Sequence, residues 1–396
     1  MENKPILIRI TTVPISFTTL LKGQLRHIGK HYDVIAVSSN GEEVKTICKN
    51  EAVIVKTIPL TRKISPFTDL IALIRTCVFF KKTKPLIVHT HTPKAGLIGM
   101  LAARIMSVPI KMHTIAGLPL MEKKGILKSL LEQIERLTSY CADYVYPNSY
   151  ELKKIVVREK YAQENKVKVI GNGSSNGIDI NFFSNNQIDI NQRKKLLYEL
   201  NLNEDDFVYC FVGRIVEDKG INELIEAFEN INKTYKHTKL LLIGPFENEL
   251  NPINEKSLLA IQQNTSIIFV GFQNDVRPYL SISKVFVFPS YREGFPNGPL
   301  QAGAMGLPAI VTNINGCNEI IKHNYNGIII QSKSVGELEC SMKILLENNK
   351  LRNYLATNAR ENIVQRYDQQ FLWNALLGEY QQLEKEYYSK KKKHAQ

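Results

Sequence analysis

FVYCFVGRIVEDKG, residues 207–220, starts as an unbroken apolar run of β-branched and aromatic residues and turns polar at Gly213, with Arg214 and Lys219 following. An apolar run without alternation suits a strand buried on both faces, as in a parallel sheet covered by helices. Downstream the pattern repeats, with strand candidates at 239–244, 267–271, 284–290, 308–312 and 326–331. Upstream, candidates lie at 6–11, 33–39, 52–58, 86–91, 109–115, 143–148 and 167–171, separated by helical stretches such as Phe67 to Lys82 and Gly125 to Ala142. Alternation of this kind predicts an α/β protein of two doubly wound, Rossmann-like domains. The stretch GNGSSNGIDINFFSNNQIDIN, residues 171–191, is dense in Gly, Asn and Ser and reads as the linker. The expected partition is 1–175, 176–366 and a terminal helix over 367–396 that ends in a basic tail, the last piece of a helical region beginning at Ser334.

A chain of 396 residues can bury two cores of this size. Its 44% hydrophobic and 22% charged content is that of a folded globular protein. The start, MENKPILIRITTVP, shows no secretory pattern, and the longest apolar stretch, Ala95 to Ile110, is interrupted by Arg104 and Pro109. Neither a leader nor a membrane span is expected. Six scattered cysteines without a C-x-x-C pair suit reduced thiols in the cytoplasm. The net charge of +13 is one-sided: residues 1–180 hold 27 basic and 14 acidic side chains, and residues 181–396 hold 24 of each. A basic first half suits an anionic membrane surface or a phosphorylated substrate. Nucleic acid is not expected as a partner, because the basic residues are interleaved with aliphatic ones and form no stacking platform.

The chemistry-bearing residues fall just after strands, where open α/β sheets bind ligands, and two such domains facing one another would bound a cleft. Gly213 permits a tight turn, after which Arg214 offers a planar fork and Lys219 a compact charge to a diphosphate. A second segment, SYREGFPNGPLQAGAMGLP, residues 290–308, follows the strand at 284–290. Its turn residues Gly294, Phe295, Pro296, Asn297 and Gly298 precede a helix expected to begin near Pro299, whose backbone amides would favour an anion. Glu293, just before the turn, reads as a carboxylate without a structural partner, placed to accept hydrogen bonds from sugar hydroxyls. A salt bridge with Arg292 or another cation is the competing reading.

The segments FVGRIVEDKG and EGFPNGPLQAGAMGLP resemble the two signature regions of the family-four retaining glycosyltransferases, which have the GT-B fold. The resemblance covers essentially the whole chain and is nearest in flavour to bacterial surface-glycan enzymes. It implies that Arg214 and Lys219 bind the donor diphosphate and that Glu293 meets the donor sugar, as the first position of the family's E-x(7)-E motif. The second position, which meets the ribose, is Gln301 here. Glutamine keeps hydrogen-bonding capacity and loses the charge. MHTIAGLP, residues 112–119, resembles the family segment with a cleft histidine, implying for His113 an orienting role and a part in proton handling. The return of the terminal helix to the first domain is likewise implied by the resemblance.

Further expectations concern the walls of the site. His91 and Lys94, after the strand at 86–91, are read as acceptor-binding; His89 and His91 lack a third metal ligand at suitable spacing. Thr12 and Ser16, in a loop without the glycine pair common in the family, are expected to hydrogen-bond where bare backbone usually does. Gly244 and the Gly271–Phe272 turn are expected to wall the base pocket. No P-loop or dinucleotide fingerprint is present, and no D-x-D metal clamp, so cations and helix amides would do a metal's work. The expectation is therefore a metal-independent retaining transferase without a cofactor. It would move a hexose or N-acetylhexosamine, UDP-linked, to a polyprenyl-diphosphate-linked sugar at the inner face of the cytoplasmic membrane. An epimerase or hydrolase of the same fold, and a non-catalytic nucleotide-sugar-binding subunit, are the alternatives.

Overall fold

The computed structural model describes residues 4–63, 65–118, 120, 124–247 and 251–395. Pro119, the last residue of the MHTIAGLP segment, lies outside them. The chain forms two compact units, Met1–Asn176 with Gln370–Gln396, and Gly177–Gln369.

Among the described residues each unit contains one six-stranded sheet. In the first unit the strands are β1 (Ile6–Ile10), β2 (Asp33–Ser38), β3 (Ile54–Thr57), β4 (Ile87–His91), β5 (Ile110–Ile115) and β6 (Tyr144–Pro147). Their spatial order is β3-β2-β1-β4-β5-β6 and every pairing is parallel. The second unit has β7 (Phe207–Val212), β8 (Thr238–Ile243), β9 (Ile267–Phe269), β10 (Val285–Phe288), β11 (Ala309–Thr312) and β12 (Gly327–Ile330), in the order β12-β11-β10-β7-β8-β9. Both units thus reverse strand order next to their first strand, at β1/β4 and at β7/β10. The loops leaving those neighbouring strands diverge to opposite faces and open a crevice at the carboxyl ends.

The expected strand at 167–171 does not form. Val167 makes an isolated bridge to Val145, and one bond runs from Lys168 N–H to Val145 O at 3.1 Å. Gly171 and Gly173 then adopt φ of 57° and 93° and turn the chain off the sheet. The return to the first unit comes at Gln370, later than the expected 367, because Tyr367 still belongs to the second unit. Its ring packs 5.4 Å from that of Phe295, its hydroxyl donates to Glu319 O at 2.9 Å, and Gln369 N–H donates to Ile178 O at 3.0 Å.

In the first unit two apolar clusters cover the two sheet faces. One joins Ile8, Ile10 and Val88 to the helices Pro66–Thr83, Pro93–Ile105 and Gly125–Cys141. The other joins Leu7, Tyr32 and Ile87 to Leu376, Tyr380 and Leu383 of the terminal helix Gln369–Ala395. In the second unit one large cluster runs through the sheet, and Phe211, Phe286 and Phe288 stack beneath its strand ends, with centroids 5.6 and 5.9 Å apart. Each such ring removes enough apolar surface from water to contribute on the order of 2 kcal/mol, so the β7/β10 edge is a rigid floor.

Candidate active site

The two signature segments meet at the carboxyl ends of β7 and β10. Gly220, at φ 70°, ends the loop after β7, and a Cβ there would lie 2.2 Å from Pro289 O. Only glycine lets this loop come so close to the end of β10. The approach brings the Lys219 ammonium into an ion pair with Glu293, each side chain 14% exposed, and sets it 5.8 Å above the Phe288 ring. Ser290 Oγ donates to the same carboxylate oxygen at 2.9 Å, and the Asn315 side chain donates to Glu293 O. Glu293 therefore has partners, contrary to the expectation of an unpaired carboxylate. They are Lys219 and Ser290, whereas Arg292 pairs with Asp218 at 3.0 Å. Tyr291 N–H also donates to Asp218 O at 2.9 Å, so the two loops are joined at several points.

Arg214 is more exposed than this pair. Its Nη1 donates to Glu247 at 2.6 Å, and both side chains are more than a third exposed. The loops after β7 and β8 continue side by side past the strands: Gly213 N–H donates to Ile243 O at 2.9 Å and Ile215 N–H to Pro245 O at 2.8 Å. A Cβ at Gly244 would lie 1.8 Å from Gly213 O, which explains glycine there. Gly244 N–H donates to Gly271 O at 2.8 Å, and Phe272 beside it is 68% exposed, so Gly213, Gly244 and Gly271 form one continuous edge.

The helix after Glu293 begins earlier than expected, at Asn297, and runs to Ala304. Pro296 occupies its N-cap with extended backbone and offers no side-chain cap. A Cβ on Gly298 would stand 3.3 Å from Val212 O, so the first turn rests on the end of β7 beside Gly213 and Arg214. Gly294, Phe295 and Pro296 make the connecting turn, with Phe295 and Pro296 buried, and Gln301 is half-buried one turn into the helix. An uncapped helix start beside two cations favours anionic groups.

In the first unit the expected residues also collect at strand ends, but in a buried network. Arg9, fully buried on β1, donates to His91 Nε2 at 3.0 Å and to Gln24 Oε1 at 2.6 Å. His89 bonds Tyr380 Oη at 2.6 Å and Thr114 Oγ1 at 2.7 Å. Burial holds both histidines well below their usual range, and the neighbouring Arg9 adds to the effect. His113 Nδ1 bonds Thr90 Oγ1 at 2.8 Å, and burial brings its pKa down to about 4, so its ring is neutral near pH 7. Lys94 pairs with Asp69. Thr12 bonds Thr92 Oγ1 at 2.7 Å and accepts from Ala95 N–H at 3.2 Å, while Ser16 is buried in the next helical turn. Sequence reasoning missed Arg9 and Glu247, each a lone charge in an unremarkable context. A cation inside an otherwise apolar strand, ILIRI, was the one available signal for Arg9.

Among the described residues no group of three His, Cys, Asp or Glu is arranged to hold a metal ion, and no helix is long and apolar enough to cross a membrane.

Residues 192–362 match the family described as glycosyl transferases group 1, and residues 26–173 match the glycosyl transferase 4-like domain. The capsular polysaccharide biosynthesis glycosyltransferase CapM of Staphylococcus aureus is 36% identical over 387 residues, 98% of this chain and 99% of that protein. The Escherichia coli UDP-Gal:alpha-D-GlcNAc-diphosphoundecaprenol alpha-1,3-galactosyltransferase is 30% identical over 77% of each chain. Among solved structures, Alr3699/HepE of Anabaena, in complex with UDP, superposes with a TM-score of 0.77 at 18% identity, over 96% of this chain and all of that one. Signature loops, paired Rossmann-like sheets and near-full-length similarity converge: the chain belongs to the group 1 glycosyltransferases and has the GT-B architecture.

Proposed function

We propose that the enzyme is a metal-independent, retaining transferase that takes a hexose or N-acetylhexosamine from a UDP-linked donor to a hydroxyl of a polyprenyl-diphosphate-linked sugar, in surface-polysaccharide assembly. The observation that carries this reading is the Lys219–Glu293 ion pair at the β7/β10 reversal, with Arg214 beside it at a helix start. A diphosphate arriving there competes for Lys219 and for the exposed fork of Arg214, while Glu293, held by Ser290, turns its acceptor capacity to sugar hydroxyls. Charge that builds on the leaving phosphate is met by both cations and by the first-turn amides around Asn297 and Gly298. Gln301 would meet the ribose, and Gly213, Gly244, Gly271, Phe272 and the 294–296 turn would line the donor. With no Asp or Glu assigned as nucleophile, the leaving phosphate would deprotonate the acceptor hydroxyl on the same face of the sugar.

The relatives from S. aureus and E. coli support the polysaccharide setting, and the E. coli protein's name supplies the kind of donor and acceptor. The second unit binds the donor in this reading. The acceptor meets the strand ends of the first unit, where His113 acts as a neutral orienting group. Thr12, Ser16, His91 and Lys94 form the scaffold beneath it and do not touch the acceptor, since Thr12, His91 and Lys94 already spend hydrogen bonds or charge within the unit. The acceptor's lipid places the enzyme at the inner membrane surface.

The test is acceptor-dependent release of nucleotide from a panel of nucleotide sugars, with polyprenyl-diphosphate sugars as acceptors, in the presence of a chelator. The product's anomeric configuration is read by proton NMR. UDP release that needs the acceptor, survives chelation and retains configuration is the expected result. Release without acceptor would identify a hydrolase, and inversion or loss on chelation would sink the mechanism.

A further inference from the structure

Glu293 lies in irregular backbone between β10 and the helix Asn297–Ala304, so neither a sheet ladder nor a helix fixes its place. Lys219, Ser290 and Asn315 hold the residue itself. Tyr291, two residues earlier, ties the same stretch to other elements. Its N–H donates to Asp218 O at 2.9 Å, in the 3-10 turn Glu217–Lys219 that carries the catalytic cation. Its Oη donates to Glu223 Oε1 at 2.6 Å, in the first turn of the helix Ile221–Thr234. The Lys333 ammonium, from the segment after β12, stands 4.7 Å from the centre of its ring. One side chain and its amide thus join the loop after β10 to the loop after β7, to the helix that follows it and to the segment after β12.

Asp218, Glu223 and Lys333 are not among the groups assigned to the donor, so the one hydroxyl proton of Tyr291 is committed to the scaffold. Burial, together with the Glu223 carboxylate, pushes the phenol above its ordinary range, which keeps that proton in place. The bond is short and assisted by the carboxylate's charge, the stronger class of hydrogen bond. Among the described residues Tyr291 is also the hydrogen-bond partner of Glu223, whose Oε2 is buried and has none. A displacement of the loop would strip the carboxylate of that partner, so the bond resists movement of the segment that presents Glu293.

We propose that Tyr291 is a positioning residue: through Glu223 and the backbone of Asp218 it fixes where the loop after β10 holds Glu293 against Lys219 and the donor sugar. The inference rests on the donor site proposed above and adds a residue that acts on it without touching substrate. Nucleotide binding, assigned to Arg214, Gln301 and the strand-end edge, does not run through this bond, whereas orientation of the sugar by Glu293 does.

The experiment measures acceptor-dependent nucleotide release by the full chain, with the nucleotide sugar selected by the panel above, alongside UDP affinity by calorimetry and thermal unfolding. Tyr291→Phe keeps the ring under Lys333 and removes only the hydroxyl. Its kcat should fall roughly tenfold to a hundredfold, as for a misplaced reacting group, with UDP affinity within about twofold. Its unfolding temperature should also fall, because Glu223 loses its partner. The double variant Tyr291→Phe/Glu223→Met removes both polar partners and should recover most of that stability, while kcat stays as low as in either single variant. Turnover that recovers with stability would make the role merely structural and overturn the proposal. So would a normal kcat in Tyr291→Phe, or a UDP affinity that falls in step with kcat, which would make Tyr291 a donor contact. Glu223→Gln, which keeps an acceptor, covers the case in which Tyr291→Phe folds poorly: it should retain most of the turnover that Glu223→Met loses, and equal loss in the two overturns the bond's role. Glu293→Ala separates this inference from the donor site. A slow Glu293→Ala beside a normal Tyr291→Phe overturns the role of Tyr291 alone, and normal turnover in both overturns the donor-site reading as well.

Discussion

The strand ends of the two units hold the same kinds of polar residue under opposite electrostatic regimes. In the first unit Arg9, His89, His91 and His113 are sealed in, the histidines are held neutral by burial, and a tyrosine from the terminal helix closes the network. In the second, Arg214, Lys219, Arg292 and their carboxylates sit partly in solvent as ion pairs. A sealed network is costly to open, so its residues hold shape. Paired charges in reach of water can exchange partners at small cost, which suits a site that must take up and release a diphosphate. In the proposed function the first set does scaffold work and the second meets the substrate.

The harshest way to break that assignment is to remove a member of the Lys219–Glu293 pair. Lys219→Ala or Glu293→Ala should lower turnover by about a thousandfold, in line with losing a preorganised electrostatic group. Each side chain is only 14% exposed, so removing one partner also costs stability through the charge left behind, and turnover is compared on the folded enzyme. Near-normal turnover in both would remove the site from this place.

Legibility followed the same division. The second-unit residues announce themselves because glycines, cations and a carboxylate cluster after apolar runs, and a strand-loop-helix reading is enough to put them together. Partnership was not legible: that Glu293 meets Lys219 rather than Arg292 depends on the approach of Gly220 to Pro289, a tertiary event 69 residues apart in sequence. Strands 6–11 through 143–148 were legible from their apolar runs. The expected strand at 167–171 failed because VKVIG is followed by glycines in left-handed conformations, which turn the chain before a ladder can form. His91 and Lys94 looked like ligand groups because burial by Arg9 and Asp69, from distant elements, leaves no local trace.

The sealed character of the first unit predicts stability effects without kinetic ones. His91→Ala leaves Arg9 Nε without its acceptor beside an Nη1 that already has none, and opens a small cavity. The cost should be about 3 kcal/mol in denaturant unfolding, with the acceptor KM of the folded enzyme unchanged. A raised KM at unchanged stability would return His91 to acceptor binding. Glu135 sharpens the point through pH. Burial raises its pKa from 4.5 to about 7, and its Oε2 has no partner. The folded state therefore holds the proton more tightly than the unfolded one. Stability is fully present below the unfolded pKa and falls as pH rises through the folded one, by about 3 kcal/mol in all. Glu135→Gln should stabilise the protein by about that much at pH 8 and little at pH 4; equal effects at both would show that the carboxyl is not desolvated.

The smallest effect tests exchange itself, at the Arg214–Glu247 pair. Both side chains are more than a third exposed, so solvent screens the pair and its contribution is below about 1 kcal/mol. A donor diphosphate must displace Glu247 to use the full fork of Arg214, and Glu247→Ala removes that competitor. The donor KM should therefore fall, by roughly twofold to fivefold, with turnover unchanged, and the gain should shrink as salt is raised. An increase in KM would instead make Glu247 a donor-contacting or loop-positioning group. The second-unit charges would then form a fixed cradle, and the contrast with the first unit would lose its basis in exchange.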